Sequence, residues 1–384
     1  KSGIFSLGDV GERQSTQSWA TSSDVWVAAD KIAVIDSKCG YLVGGMFPDG
    51  PLDGWGANAS SRVNRIDYSN DTTSPVVRGF LWQKRGKHAS VANIDYGYSA
   101  GGYGNPFDAT PGSRTPSSVE RIDFANDTSR GVERGPLSSA RYDFQAVGNN
   151  NFGYWVAGKT PSNVSNIFRT DYANDTAAAT ERLNLTRVIS NSAGATGTPN
   201  YGYIAGGGNP SPTSTTLVDR IDYANDTTQA APKGNITDNK IRSGATGNAY
   251  YGYVGGGETQ HPGGSELSTI DRIDYSNDTA TATPKGPLSA VRKYVAATGD
   301  RSFGYWGGGG GGAEVSTMDR LDYANDTATA VARQPLYIKY TNMGGMSASQ
   351  NALPLREHLL ESTVPVGTDF GYTFGGYNGS YISA

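Results

Sequence analysis

The sequence predicts an all-β ring of small four-stranded blades, a β-propeller, on three observations. A Gly-Tyr-x-x-Gly-Gly-like signal begins at Gly40, Gly97, Gly153, Gly202, Gly252, Gly304 and Gly371. A near-copy of Arg-Ile-Asp-Tyr-x-Asn-Asp-Thr follows six of these signals, beginning at Arg65, Arg121, Arg169, Arg220, Arg272 and Arg320. The copies recur about every 50 residues, and a period of that size built from short strands belongs to propellers, with kelch-type repeats the nearest class. The 52 glycines and 23 tyrosines fit many tight turns between strands with aromatic positions.

One unit, residues 293–336, shows the expected elements in order. Residues 294–298 read as a first strand, 303–308 as a second ending in glycines, 318–323 as a third and 327–333 as an outer fourth. Glycines are expected where wedge-shaped blades crowd near the axis. In the third strand Ile273 and Tyr275 share one face, and Arg272 and Asp274 the other. Both faces of a blade are covered by its neighbours, so Arg–Asp pairing is expected between or within blades. The repeated residues assigned this structural part are Arg65, Asp67, Arg121, Asp123, Arg220, Asp222, Arg272, Asp274, Arg320 and Asp322. The Asn-Asp pair suits a turn, and the following Thr restarts a strand. Blade three, with Thr170 in place of Ile or Leu and Gly158-Lys159 in place of Gly-Gly, is expected to be the least regular.

The ends complete the ring. Residues 340–345 and 370–377 supply two strands of a further blade, and residues 4–26 are placed to supply its outer strands. Closure by both termini removes an exposed edge. The expected fold is therefore one domain over residues 1–384, a kelch-like propeller of seven blades of four antiparallel strands. Residues 1–36 form an N-terminal closing segment, and six blades is the alternative.

Departures from the repeat mark the expected binding surfaces. Loops between second and third strands lie on one face of the disc and are long at 46–61, 103–118 and 258–269. Phe47, Trp55, Tyr103, Phe107 and His261 lie within them and are the candidate binding residues. A second departure, the insertion at residues 346–366, carries Leu355, Leu359 and Leu360 at helical spacing, candidates for docking a partner.

Several functions are disfavoured. The net charge of −4 gives no reason to expect nucleic acid, and no apolar run is long enough for membrane insertion. The single Cys39 precludes an intramolecular disulfide and reads as a small core residue. His88, His261 and His358 fall in unrelated parts of different units, so no metal site is expected. The repeated Asp residues recur in every unit, whereas an active site is singular, so no catalytic residue, no enzymatic activity and no cofactor are assigned. The Asn-Asp-Thr triplets also match a glycosylation sequon, but turn chemistry accounts for them.

The run Tyr251-Gly252-Tyr253-Val254-Gly255-Gly256-Gly257, then Asp271-Arg272-Ile273-Asp274-Tyr275-Ser276-Asn277-Asp278-Thr279, then Lys285-Gly286-Pro287-Leu288-Ser289 resembles a kelch-like repeat of marine bacteriophage virion proteins. Phages of cyanobacteria are prominent among the carriers of such repeats. The resemblance spans residues 40–376. It implies a virion or extracellular location in a tail fibre or appendage, other virion structural proteins as partners, and a host-surface glycan or protein as ligand. A bacterial secreted or surface adhesion propeller and a polysaccharide-degrading enzyme are the competing expectations.

Overall fold

The computed structural model describes residues 39–47, 59–104, 115–191, 194–208, 214–260, 263–311 and 313–347. They form six antiparallel four-stranded sheets, the blades of a β-propeller. Blade one runs, from the axis outwards, Thr341–Ser347, Cys39–Met46, Arg62–Asp67, Val76–Phe80. Blade two is Ala89–Ala92, Tyr96–Ala100, Val119–Asp123, Val132–Arg134, and blade three is Gln145–Gly148, Phe152–Lys159, Asn163–Asp171, Thr180–Ile189. Blade four is Gly194–Gly197, Tyr201–Ala205, Leu217–Asp222, Ala231–Asn235. Blade five is Gly244–Gly247, Tyr251–Gly255, Ile270–Asp274, Thr283–Lys285, and blade six is Ala296–Gly299, Phe303–Gly307, Met318–Asp322, Val331–Arg333.

The seven-blade expectation is corrected to six. Thr341–Ser347 does not begin a further blade. It pairs in register with Cys39–Met46, Gly40 opposite Ser347 and Met46 opposite Thr341, as the inner strand of blade one. Blade six then packs directly on blade one, which leaves no place in the ring for another sheet. The expected strand at 370–377, the closing segment at 1–36 and nearly all of the 346–366 insertion lie outside the described residues.

One repeated contact joins the blades, and it differs from the pairing the strand pattern suggests. The third-strand Arg does not pair with the Asp two residues on. Asp67 and its equivalents Asp123, Asp222, Asp274 and Asp322 instead cap a short 3-10 turn, accepting from the backbone N–H two residues later. The ionic partner is the Asp of the next blade's Asn-Asp-Thr. Arg65 reaches Asp127 at 3.0 Å, Arg121 reaches Asp175 at 2.8 Å and Arg169 reaches Asp226 at 2.6 Å. Arg220 reaches Asp278 at 2.7 Å and Arg272 reaches Asp326 at 2.8 Å. At the last junction Arg320 reaches Asp71 at 2.8 Å, from blade six to blade one. The second-strand tyrosine donates to the same carboxylate, from Tyr41 to Asp127 through to Tyr305 to Asp71. A fourth-strand cation completes each clamp, as Arg182 does on Asp226 at 2.7 Å and Lys285 on Asp326 at 3.1 Å.

The clamp explains the motif. Three donors need one carboxylate, and the short turn presents it across the gap, where its charge stays compensated. Donation from Arg182, Tyr154 and Arg169 holds the Asp226 carboxyl below its ordinary value, although burial acts against this. The same tyrosines stack on the aromatic of the next blade's motif, Tyr98 on Tyr172 at 4.6 Å and Tyr305 on Tyr68 at 5.1 Å between centroids. In blades two to six the third-strand Arg also lies over the aromatic that opens its own blade's second strand, as Arg272 does over Tyr251 at 4.3 Å.

A second layer of buried ion pairs lies nearer the opposite face. Arg85 pairs with Glu120 and Arg292 with Asp319, all four side chains at most 2 % exposed. Two junctions depart from it. Arg141 meets Asn166 instead of a carboxylate and stacks over Phe168 at 4.0 Å, and burial lowers its pKa to about 10. At the junction of blades six and one, Tyr340 stands where Arg292 stands one blade earlier, and Asn64 stands where the carboxylate would be. Cation and anion are lost together, so no buried charge is stranded.

The paired glycines that end the second strands answer a backbone demand. Gly256 and Gly257 have φ of +67° and +102°, and the pairs of blades one, two, four and six are also left-handed. In blade three the equivalent pair is Ala157-Gly158, one position before the expected Gly158-Lys159, and Ala157 is held at φ +57°. That blade also has the longest third and fourth strands, with register shifts against both neighbours of its third strand.

Candidate functional site

The six inner strands surround the axis and are built largely from small residues, so their backbones approach closely. They enclose an axial cavity of about 90 Å3. Its mouth on the loop face is framed by a ring that the repeat signals did not reveal. At the loop-face end of each inner strand, two or three residues ahead of it or, for Asn342, as its second residue, stands a non-glycine residue in the left-handed region: Lys87, Asp143, Asn191, Arg242, Tyr294 and Asn342, with φ between 53° and 60°. Such a conformation costs about 1–2 kcal/mol for an ordinary side chain. Backbone bonding from blade to blade offsets it. Asp143 N–H donates to the Lys87 carbonyl at 2.9 Å, Arg242 N–H to Asn191 at 2.8 Å and Tyr294 N–H to Arg242 at 2.8 Å. Asn342 N–H donates to Tyr294 at 3.2 Å, and Lys87 N–H to Asn342 at 3.1 Å, which carries the collar across the closing blade.

The collar's backbone is regular and its side chains are not. Lys87 pairs with Asp143 at 3.3 Å, and Lys87 and Lys159 each lie 6.0 Å from the Tyr142 ring. On the other side of the mouth Arg242 pairs with Glu258 and lies over the Tyr294 ring at 4.5 Å. Lys293 bridges Glu258 at 2.9 Å and Glu266 at 3.2 Å. Burial raises the Tyr294 hydroxyl to about 12, against the opposing pull of Arg242, so it is a neutral donor at physiological pH. The mouth is thus a rim of charged and phenolic groups on a rigid frame, able to orient a polar or anionic group by hydrogen bonds and charge.

Deeper, His88, Ser90 and Ser243 border the cavity. Both ring nitrogens of His88 and the hydroxyl oxygens of Ser90 and Ser243 are buried without a hydrogen-bond partner within the protein. Burial, with the Arg85 charge, lowers the His88 pKa to about 3, so its imidazole is neutral. Among the described residues no group of three or more His, Cys, Asp or Glu side chains is placed to hold a metal ion.

Of the binding residues expected from the loops, Tyr103 lies edge-on to Tyr142 at 5.7 Å, which places it behind the mouth. Phe47 packs on Tyr340 at 5.2 Å with Arg62 over its ring at 5.6 Å, at the junction of blades six and one. Their contacts belong to different junctions. Trp55, Phe107, His261, Leu355, Leu359 and Leu360 lie outside the described residues. The expected loop at 258–269 contributes Glu258 and Glu266 to the rim. The collar had a sequence signal, a fixed offset ahead of Gly97, Gly153, Gly252 and Gly304, but its residue types share no chemistry.

Comparison with known protein families finds no matching family model, and comparison with curated proteins finds no match. No helix among the described residues is long and apolar enough to cross a membrane.

Proposed function

We propose that the chain is a non-enzymatic virion propeller of a bacteriophage, a binding platform in a tail fibre or appendage. One face holds other virion structural proteins, and the loop face meets a host-surface glycan. The observation that carries the reading is the contrast between the two layers. The acidic, basic and phenolic groups of the repeat are committed, blade after blade, to holding the ring together. The groups that do not repeat gather at the mouth and on the loop face, where loops on a rigid scaffold commonly bind. Phenolic rings beside cations suit the faces and hydroxyls of sugars.

The test has two arms. Purified particles are probed for the protein by mass spectrometry and labelled antibody, and the purified propeller is titrated with host-surface polysaccharide. Presence in the particle, with binding weakened by Tyr142→Ala and Lys293→Ala, is the expected result. Absence from particles removes the virion role and leaves a surface adhesion propeller. Release of reducing ends from the polysaccharide would make the protein an enzyme and overturn the reading.

A further inference from the structure

We propose that the outer edge of blade one, on the loop-face side, binds an acidic polysaccharide at two subsites, one on each flank of the blade. The proposal rests on the glycan-binding reading above and gives it a place and a ligand class. It starts from one position in the repeat, the residue after the buried leucine or isoleucine at each blade's outer edge, such as Leu81 or Leu137. In blades two to five that residue is Ser or Thr, and its hydroxyl is spent on the ring. Thr186 donates to Asp219 and Ser289 to Asp319, each at 2.7 Å, Thr237 donates to Asp271, and Ser138 donates to the Ala179 carbonyl at 2.6 Å. In blades one and six, neighbours in the ring, the same position holds Trp82 and Tyr337. They are 41 % and 77 % exposed, and their side chains make no hydrogen bond among the described residues. Both lie in loops that run from an outer strand to the next inner strand.

Each aromatic is followed two residues later by a cation. Lys84 and Lys339 are exposed and form no ion pair among the described residues, whereas blades two to five have Ala140, Val188, Asn239 and Val291 there. Elsewhere lysines are committed to carboxylates, as Lys240 is to Asp271 and Lys285 to Asp326. Beside blade two the platform is also held in place. The Arg130 guanidinium lies 4.2 Å from the Trp82 ring centre and donates to the Trp82 carbonyl at 2.7 Å. A ring fixed in this way loses little freedom when a ligand stacks on it. Phe80, 48 % exposed at the end of the same outer strand, widens the apolar surface.

An exposed aromatic face beside an uncommitted ammonium group suits a sugar chain that carries carboxylates. The C–H face of a pyranose lies on the ring, and the carboxylate meets the ammonium. A protein partner fits less well, because interface cores are depleted in lysine and need a contiguous apolar surface, while these aromatics stand one blade apart. Two subsites on one rigid ring let a single polymer engage both, so the second contact forms at raised effective concentration.

The experiment titrates the full chain by calorimetry with two polyuronates, alginate and hyaluronate, at low and high NaCl. Neutral dextran and single-stranded oligodeoxythymidine are the comparators. Saturable binding of a polyuronate that weakens as salt is raised, with neither comparator bound, is expected. Tyr337→Ala and Trp82→Ala should each weaken it roughly five- to tenfold and Lys339→Ala about threefold. Tyr337→Phe, which keeps the stacking face, should recover most of the loss. Tyr337 and Lys339 are exposed, so their variants remain readable even if Trp82→Ala folds poorly. Binding that survives Tyr337→Ala and Lys339→Ala but is weakened by Tyr142→Ala would put the glycan at the axial mouth, overturning this proposal and sparing the reading it rests on. No binding of any polysaccharide would remove both. Dextran or oligodeoxythymidine bound as tightly as the polyuronates would refute the ligand class.

Discussion

Asp71→Ala tests both the clamp and the number of blades. Asp71 accepts from Tyr305 O–H at 3.0 Å and Arg320 at 2.8 Å, and Arg333 lies 3.3 Å away, all from blade six. The Tyr305 ring is fully buried, so loss of its acceptor leaves an unsatisfied hydroxyl at about 1–3 kcal/mol. The two arginines remain about a fifth exposed, so solvent screens much of their attraction, and they contribute at most about 1 kcal/mol each. The expected loss is about 2–4 kcal/mol. Urea unfolding followed by the fluorescence of the buried Trp155 and Trp306 reads it. Two controls fix the meaning. Asp278→Ala, at an internal junction with Tyr203 at 3.0 Å and Arg220 at 2.7 Å, should cost the same within about 0.5 kcal/mol. Asp67→Ala, four residues away on the exposed cap, should cost only about 0.5–1 kcal/mol. In a ring with another blade between six and one, Asp71 would lack these donors and behave like Asp67. That result would refute the six-bladed closure.

Further predictions follow from the same geometry. Cys39 occupies in blade one the place held by Tyr96, Phe152, Tyr201, Tyr251 and Phe303 under the third-strand Arg of the other blades, so Cys39→Tyr should stabilise by about 0.5–1 kcal/mol in thermal unfolding. Gly286→Ala would place a β-carbon 1.8 Å from the Ala328 carbonyl oxygen of the next blade, and it should lower stability by about 1–3 kcal/mol or more because backbone must move. On acidification, Asp226 and Asp326, whose folded carboxyls titrate below the ordinary 3.8, contribute stability that is present above that value and lost as pH falls through their lower folded values. Asp219, raised by burial, acts with the opposite sign. With the Asp226 contribution removed, the urea midpoint of Asp226→Asn should fall less on acidification than that of the parent. In alkaline titration at 295 nm the clamp tyrosines, raised by burial and by their Asp partners, should stay unionised until the ring unfolds, giving a late cooperative step beside the exposed Tyr250 and Tyr337.

The propeller was legible because its signals are local: a glycine pair that only one backbone conformation needs, and a motif that is turn, cap and strand end at once. The number of blades was not, because closure depends on which of two distant segments pairs with Cys39–Met46, and nothing in residues 341–347 announces that partner. The expectation of Arg–Asp pairing between or within blades is met between blades, with Asp127 and its equivalents as the carboxylates, while Asp67 and its equivalents cap turns. Sequence periodicity placed Arg272 and Asp274 on one face, but the strand ends at Asp274, whose side chain turns to its own backbone. The axial collar was harder still. Its positions are defined by backbone conformation and by hydrogen bonds to a neighbour one blade away, so Lys, Asp, Asn, Arg and Tyr serve alike and leave no shared letter to find.

The closure has a mechanical consequence. Ser347 and Cys39 lie at the same end of one antiparallel pair, with Ser347 Oγ donating to the Cys39 carbonyl at 3.3 Å. Tension applied through the segments flanking these two residues would therefore peel the strands apart one hydrogen bond at a time, instead of shearing the whole ladder at once. The ring would resist twisting and compression through its interblade clamps, yet open along this one seam at low force. A load carried across the disc from face to face would leave that seam closed.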